Sequence, residues 1–182
     1  INISSPNTEG LRDFHDQGEL KKLLSGLNKI INEKKIECPI AIKISPDIKD
    51  DEIRKIVDLV ISHNIKGIVV SNTTVSNRDN LSDIKKHEVG GLSGQPLKDI
   101  STNLIKSFYR ETKGKIKIIG VGGVDSGQSA YEKITAGADV VQLYTGMVYK
   151  GPGIVKEIKK DLVSILKKEN IKNISEAVGI NA

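Results

Sequence analysis

The 182-residue sequence has no tryptophan, one cysteine, one methionine, three histidines and an aromatic fraction of 3%. One cysteine excludes an internal disulfide framework and argues against a cysteine-based zinc site. Cys38, just ahead of an apolar run, is expected to pack as a small hydrophobe. His15 and His87 fall in polar loops and His63 near a helix end, so all three are expected at the surface rather than in catalysis. No apolar run approaches the ~20 residues of a membrane-spanning helix. There is no internal repeat, low-complexity stretch or linker. An initiator methionine and a signal peptide are also missing. Ile1-Asn2-Ile3-Ser4 reads as a strand already under way, so residues are expected ahead of Ile1.

Basic residues outnumber acidic ones by 28 to 23, giving a net charge of +5. The excess is mostly lysine spread along helices: Lys21, Lys22, Lys34, Lys35, Lys159, Lys160, Lys167 and Lys168. No aromatic side chains interleave with them as a base-stacking surface requires. A solvated helix face is the expectation, and no nucleic-acid partner is read from the charge. A basic surface facing an anionic membrane could use part of the excess.

Strand and helix patterns alternate along the chain. Ile1 and Ile3 alternate with Asn2 and Ser4 in a short first strand, and a polar loop follows from Ser5 to Asp16. Leu20, Leu23, Leu24, Leu27, Ile30 and Ile31 recur at helical spacing. A second strand spans 39–45, with Ile40, Ile42 and Ile44 on one face and Lys43 and Ser45 on the other. Ile53, Ile56, Val57, Val60 and Ile61 mark the next helix, and 67–72 the third strand. An irregular segment covers 73–96. A helix over 97–113, a strand over 116–121, a short helix over 126–136 and a strand over 139–144 come next. Ile154, Val155, Ile158, Leu162, Ile165 and Leu166 define a last long helix, and a turn near 175–178 closes the pattern.

Five strands alternating with helices imply an α/β fold with a parallel sheet and right-handed crossovers. An open doubly wound sheet and the C-terminal five βα units of a (β/α)8 TIM barrel compete. Strands covered on both faces of an open sheet should be nearly continuous apolar runs. Here Asn2, Ser4, Lys43 and Gln142 interrupt or end the strands, and such residues can point into the mouth of a barrel. The abrupt start favours the barrel as well.

Each strand ends in residues of unusual chemistry: Ser4-Ser5-Pro6-Asn7-Thr8, Lys43-Ile44-Ser45-Pro46-Asp47, Ser71-Asn72-Thr73-Thr74, Gly120-Val121-Gly122-Gly123 and Tyr144-Thr145-Gly146. Any one could be a turn or a cap. Five on one rim converge on the edge where parallel α/β folds bind ligands. Gly122 and Gly123 let backbone N–H groups approach an anion, and Tyr144 and Thr145 add a hydroxyl and further N–H groups. Lys43, a cation inside an isoleucine strand, calls for an anionic or electron-rich partner. Asn2, Asn7 and Asn72 each carry a donor and an acceptor and suit a planar ring such as a pyrimidine. The setting of Ser5 is not a Gly-x-Ser-x-Gly elbow, and no Ser–His pair is indicated.

These motifs, together with Gly90-Gly91-Leu92-Ser93-Gly94 and Gln142-Leu143-Tyr144-Thr145, resemble those of the class 2, quinone-linked dihydroorotate dehydrogenase family, over essentially the whole chain. Class 1 relatives carry cysteine where Ser5 stands, which also opposes a class 1 enzyme or a dihydropyrimidine dehydrogenase domain. A non-catalytic phosphate-binding barrel would leave Ser5, Lys43 and the asparagines without a role.

The resemblance implies a single FMN-binding barrel domain of which residues 1–182 are the C-terminal part. It implies oxidation of dihydroorotate to orotate in pyrimidine (UMP) synthesis, with electrons passed to a quinone. Ser5 would be the base, assisted by Thr8. Asn2, Asn7, Asn72 and Thr73 would hold the pyrimidine. Asn2, Lys43, Ser71, Gly94, Gly122, Gly123, Tyr144 and Thr145 would bind FMN, and the segment from Asn77 to Gly91 would cover the site. It further implies a peripheral membrane protein whose membrane contact lies in N-terminal helices outside these residues. A five-strand piece on its own is expected neither to hold FMN nor to turn over.

Overall fold

The computed structural model describes residues 1–76, 78, 79 and 81–182. Four parallel strands form one sheet in chain order: β1 (Ala41–Ile44), β2 (Gly67–Val70), β3 (Lys117–Val121) and β4 (Val140–Gln142). Helices α1 (Gln17–Lys34), α2 (Asp50–Ser62), α3 (Lys98–Thr112) and α4 (Gly127–Thr135) precede or connect them, and α5 (Thr145–Lys150) and α6 (Ile154–Lys168) follow. The register pairs Ile42 with Ile68, Ile68 with Ile118, and Gly120 with Val141, so all C-terminal strand ends lie along one edge.

The strand expected over Ile1–Ser4 is shorter than its alternation implied. It makes one parallel bridge, Asn2 to Lys43, with Lys43 N–H donating to Ile1 O at 2.8 Å and Ile3 N–H to Lys43 O at 3.3 Å. The Ser4 side chain then turns inward and replaces further ladder bonds. The fifth expected strand also contracts, to Val140–Gln142, because α5 begins at Thr145. That short helix was not anticipated, since Thr145-Gly146-Met147 carries no helical apolar period.

The elements form where local chemistry and burial agree. Asp16 caps α1 by accepting from the N–H groups of Gly18 and Glu19. Ser126 caps α4 by accepting from Ser129 N–H at 3.1 Å. Isoleucines and valines at alternating or helical spacing close the main core between the sheet and α1 to α3, with Phe108 and Ile105 fully buried at its centre. A second, smaller cluster joins Val124, Ala130, Ile154 and Ile158 beneath α6. The eight lysines read as solvated are all exposed. Cys38 corrects its expectation: it is exposed, because the strand begins only at Ala41.

Candidate functional site

At the C-terminal edge of the sheet lies a cavity of ≈ 760 Å³. Of the residues singled out in the sequence, Lys43, Ser71, Asn72, Thr73, Gly94, Gly122, Gly123, Tyr144 and Thr145 line it. They come from the ends of four strands and from the loop before α3, so the parallel register is what brings them together. Asn2, Ser5, Asn7 and Thr8 stand outside its lining, on the adjoining first loop.

Asn2 and Asn72 are nonetheless joined. Asn72 Nδ2 donates to Asn2 Oδ1 and to Ser4 Oγ, both at 3.1 Å. Ser4 Oγ donates to Lys43 O at 2.7 Å and lies 2.9 Å from Asn2 Oδ1. Ser4 is fully buried and had no assigned role in the sequence. Its partners lie 39 and 68 residues away, so no local pattern could reveal it. Asn72 Oδ1 accepts from Thr73 N–H at 2.8 Å, which fixes both amide ends of Asn72.

The first loop meets the cavity wall at Gly91. A Cβ on Gly91 would collide with the Thr73 side chain and reach Pro6 Cγ at 3.0 Å, so only glycine fits between the two. Ser5 is half-buried, and its Oγ accepts from Asn7 N–H at 3.2 Å. Thr8 and Asn7 are exposed. Asp47, part of the strand-end motif but given no role there, ties three loops together. It accepts from Arg12 Nη2 at 3.2 Å, from Val75 N–H at 3.0 Å and from Thr74 Oγ1. His15 is not a loose surface histidine. Its Nε2 accepts from Ser45 N–H at 3.3 Å, and burial lowers its pKa from the ordinary histidine value.

Asn77 and Asn80 of the expected covering segment lie outside the described residues. Beyond them, Arg78 reaches across the loop to the carbonyls of Lys86, Glu88 and Gly90. Leu92 and Thr74 exchange backbone bonds at 2.7 and 3.1 Å, which lays this segment along the strand end that carries Asn72 and Thr73.

The donor set is suited to an anion. Gly122 and Gly123 are buried, with φ of 121° and 70°, and neither N–H has a protein acceptor among the described residues. The N–H groups of Thr145 and Gly146, across the cavity, likewise have none. Thr145 and Gly146 are half-buried, whereas the buried donors of Gly122 and Gly123 require an acceptor from elsewhere. Lys43 has no carboxylate within 4.0 Å among the described residues. Thr145 Oγ1 and Ser93 Oγ are bonded at 3.0 Å beside Gly94, so the loop before α3 and the start of α5 close round the same space. The volume suits a mononucleotide-sized molecule, and the donor set suits one that carries an anionic group. Among the described residues no cluster of His, Cys, Asp or Glu could hold a metal.

Known proteins resemble the chain in sequence and in fold. The chain is 44% identical over 187 residues to dihydroorotate dehydrogenase (quinone) from Trichodesmium erythraeum, covering 99% of this chain and 49% of that one. It is 41% identical over 186 residues to the mitochondrial dihydroorotate dehydrogenase (quinone) of Mus musculus, covering 100% and 46%. The chain thus spans about half the length of the curated relatives it matches. Among solved structures, DHODH from Eimeria tenella in complex with ferulenol superposes with a TM-score of 0.94 at 34% identity, over 100% of this chain and 53% of that one. The fold is accordingly that of the C-terminal βα units of a (β/α)8 barrel. The family model described as dihydroorotate dehydrogenase matches residues 1–166, and the chain belongs to that family.

Proposed function

We propose that residues 1–182 form the C-terminal part of a single FMN-binding barrel domain that oxidises dihydroorotate to orotate. The observation that carries this reading is the meeting of Lys43, Asn72, Thr73, the glycine turn and Thr145 on one cavity at the C-terminal strand edge. When bound, FMN supplies the acceptor for the two electrons, which leave in turn for a quinone. The relatives are about twice as long, and the proposal assigns quinone entry and peripheral membrane contact to a region outside these residues. No helix among the described residues is long and apolar enough to cross a membrane.

The residues divide the work by position. Asn72, Asn2 and Asn7, with Thr73, present donors and acceptors to the rim of a pyrimidine ring. Asn72 is held from both amide ends, so its orientation is set before substrate arrives. Ser5 removes the proton from C5 of dihydroorotate. A serine hydroxyl is a weak base at neutral pH, and two features help it here. Asn7 N–H already donates to Oγ and stabilises negative charge there. Thr8, three residues on, can relay the hydroxyl proton to water. Lys43 places a positive charge where electron density rises, and Ser71 adds a contact from the same edge. Gly94, Gly122, Gly123, Tyr144 and Thr145 hold the ribityl phosphate. The segment after Thr74 excludes water.

Replacing Ser5 with Ala in the full-length protein is expected to leave FMN content unchanged. It is expected to slow flavin reduction by dihydroorotate by about two to four orders of magnitude, the usual worth of a positioned base. Stopped-flow absorbance of the bound flavin measures that step directly. A reduction rate equal to the wild type would end the role of Ser5 as base.

A further inference from the structure

Lys133 of α4 is fully buried, and the mechanism above does not use it. Its ammonium donates to Ser101 Oγ at 3.0 Å, to Thr102 Oγ1 at 3.1 Å and to Lys98 O at 3.3 Å. All three N–H groups are thus satisfied, but no carboxylate lies within 4.0 Å among the described residues. The neighbouring Glu132 pairs with Lys98 instead, at 3.2 Å. A buried cation held only by neutral oxygens is costly unless an anion elsewhere compensates it.

Its partners form the back of the glycine turn. A Cβ on Gly120 would touch the Lys133 stem at 3.4 Å. One on Gly122 would press on Ser101 Cβ at 3.0 Å, and one on Gly123 on the Lys98 backbone. Ser101 Oγ donates in turn to Val121 O, which also accepts from Ser71 N–H at 3.1 Å. The chain Lys133–Ser101–Val121 therefore fixes both the first turn of α3 and the strand end just ahead of Gly122. Gly122 and Gly123 also line the cavity, and their N–H groups have no protein acceptor among the described residues.

We infer that Lys133 is a positioning residue for the cofactor phosphate: its ammonium clamps α3 against the Gly120–Gly123 turn and sets a positive potential behind the phosphate. The inference rests on the FMN reading and deepens it. Burial lowers the Lys133 pKa to about 8, with Glu132 and Asp99 opposing and Lys98 reinforcing the shift. A dianionic phosphate nearby favours the charged form. The sign follows: FMN binding takes up a proton on Lys133, so affinity holds below pH 8 and falls as pH rises beyond it.

The test is FMN titration of the flavin-stripped full-length protein by fluorescence quenching, at a series of pH values, for wild type and Lys133→Met. Methionine keeps the stem and removes the charge. The wild-type dissociation constant should rise by up to about tenfold per pH unit above pH 8. Lys133→Met should bind about tenfold or more weakly at pH 7 and lose that slope. Riboflavin, which lacks the phosphate, should bind both proteins equally. Equal FMN affinity and equal slope in the two proteins would overturn the inference, as would an equal loss for riboflavin. If the variant does not fold, the wild-type profile decides, and a dissociation constant flat between pH 7 and 9.5 overturns it. A wild-type protein that takes up no FMN at all would overturn the functional reading itself, and this inference with it.

Discussion

Ser4 and Ser5 are neighbours of identical chemistry, and the backbone gives them opposite duties. The extended turn of residues 1–5 sends Ser4 inward, where it binds Asn2, Asn72 and the Lys43 carbonyl, and leaves Ser5 half-buried on the loop. Lys43 and Asn72, which line the cavity, could be picked out in the sequence because each is a polar residue at a strand end. The roles of Ser4, Asp47 and Lys133 could not, although Ser4 and Asp47 stand in the same strand-end motifs, because each acts chiefly through partners 27 to 68 residues away. Ser4→Ala would strip the Lys43 carbonyl of a donor and Asn72 of an acceptor. Each group keeps one other partner, Ile3 N–H and Asn2 Oδ1, so the cost is that of the lost hydrogen bonds, about 0.5–1.5 kcal/mol each, and the midpoint of urea unfolding should fall. Substrate KM should rise, since Asn72 loses one of the three bonds that hold its amide. Unchanged KM and midpoint would show that Asn2 and the Thr73 N–H suffice to hold Asn72.

At the scale of elements, each loop depends on the strand beside it. Asp47 gathers Arg12 from the first loop and Thr74 and Val75 from the third. His15 anchors the first loop to the end of β1 through Ser45 N–H. The helix and strand centres were legible from apolar spacing, and the loops between them were not, since their order comes from such cross-links. His15 makes one link sensitive to pH. Its pKa is lowered from 6.5, chiefly by burial and further by Arg12, with Glu52 opposing. The unfolded chain therefore binds the proton first as pH falls. The Ser45 bond contributes fully above about pH 6.5 and is lost as pH drops through the lowered folded value. Protonated Nε2 becomes a donor and can no longer accept from Ser45. Unfolding midpoints in urea should fall between pH 7.5 and pH 5 by an amount worth about 1 kcal/mol. His15→Gln, which can accept the same bond without titrating, should remove that part of the decline. The same decline in both proteins would assign it to other groups.

At the scale of the molecule, the alternation of strands and helices was enough to infer a parallel α/β fold, because periodicity is a local property. Which face needs covering is not. Only the structure reveals that β4 exposes Val140 at 57% while Ile42, Ile68 and Ile118 of the other strands are sealed. Tyr144, Val148 and Tyr149 of the α5 region are also 80%, 68% and 85% exposed, and Tyr144 and Tyr149 line the cavity. A strand with an unpaired edge and apolar neighbours in water is a surface that calls for cover. The cavity wall that includes Thr145 and Gly146 is built on it. Residues 1–182 expressed alone are therefore expected to bind ANS strongly, to unfold with low cooperativity, and to retain no FMN after gel filtration. In a protein of the relatives' length, as proposed above, the α5 region should instead be protected from amide exchange. Mixing the chain with a separately expressed N-terminal part should restore flavin absorbance if that part covers β4. A yellow, cooperatively unfolding preparation of residues 1–182 alone would show that the glycine turn, Lys43 and Thr145 hold the cofactor without help, and that the exposed face is an ordinary surface.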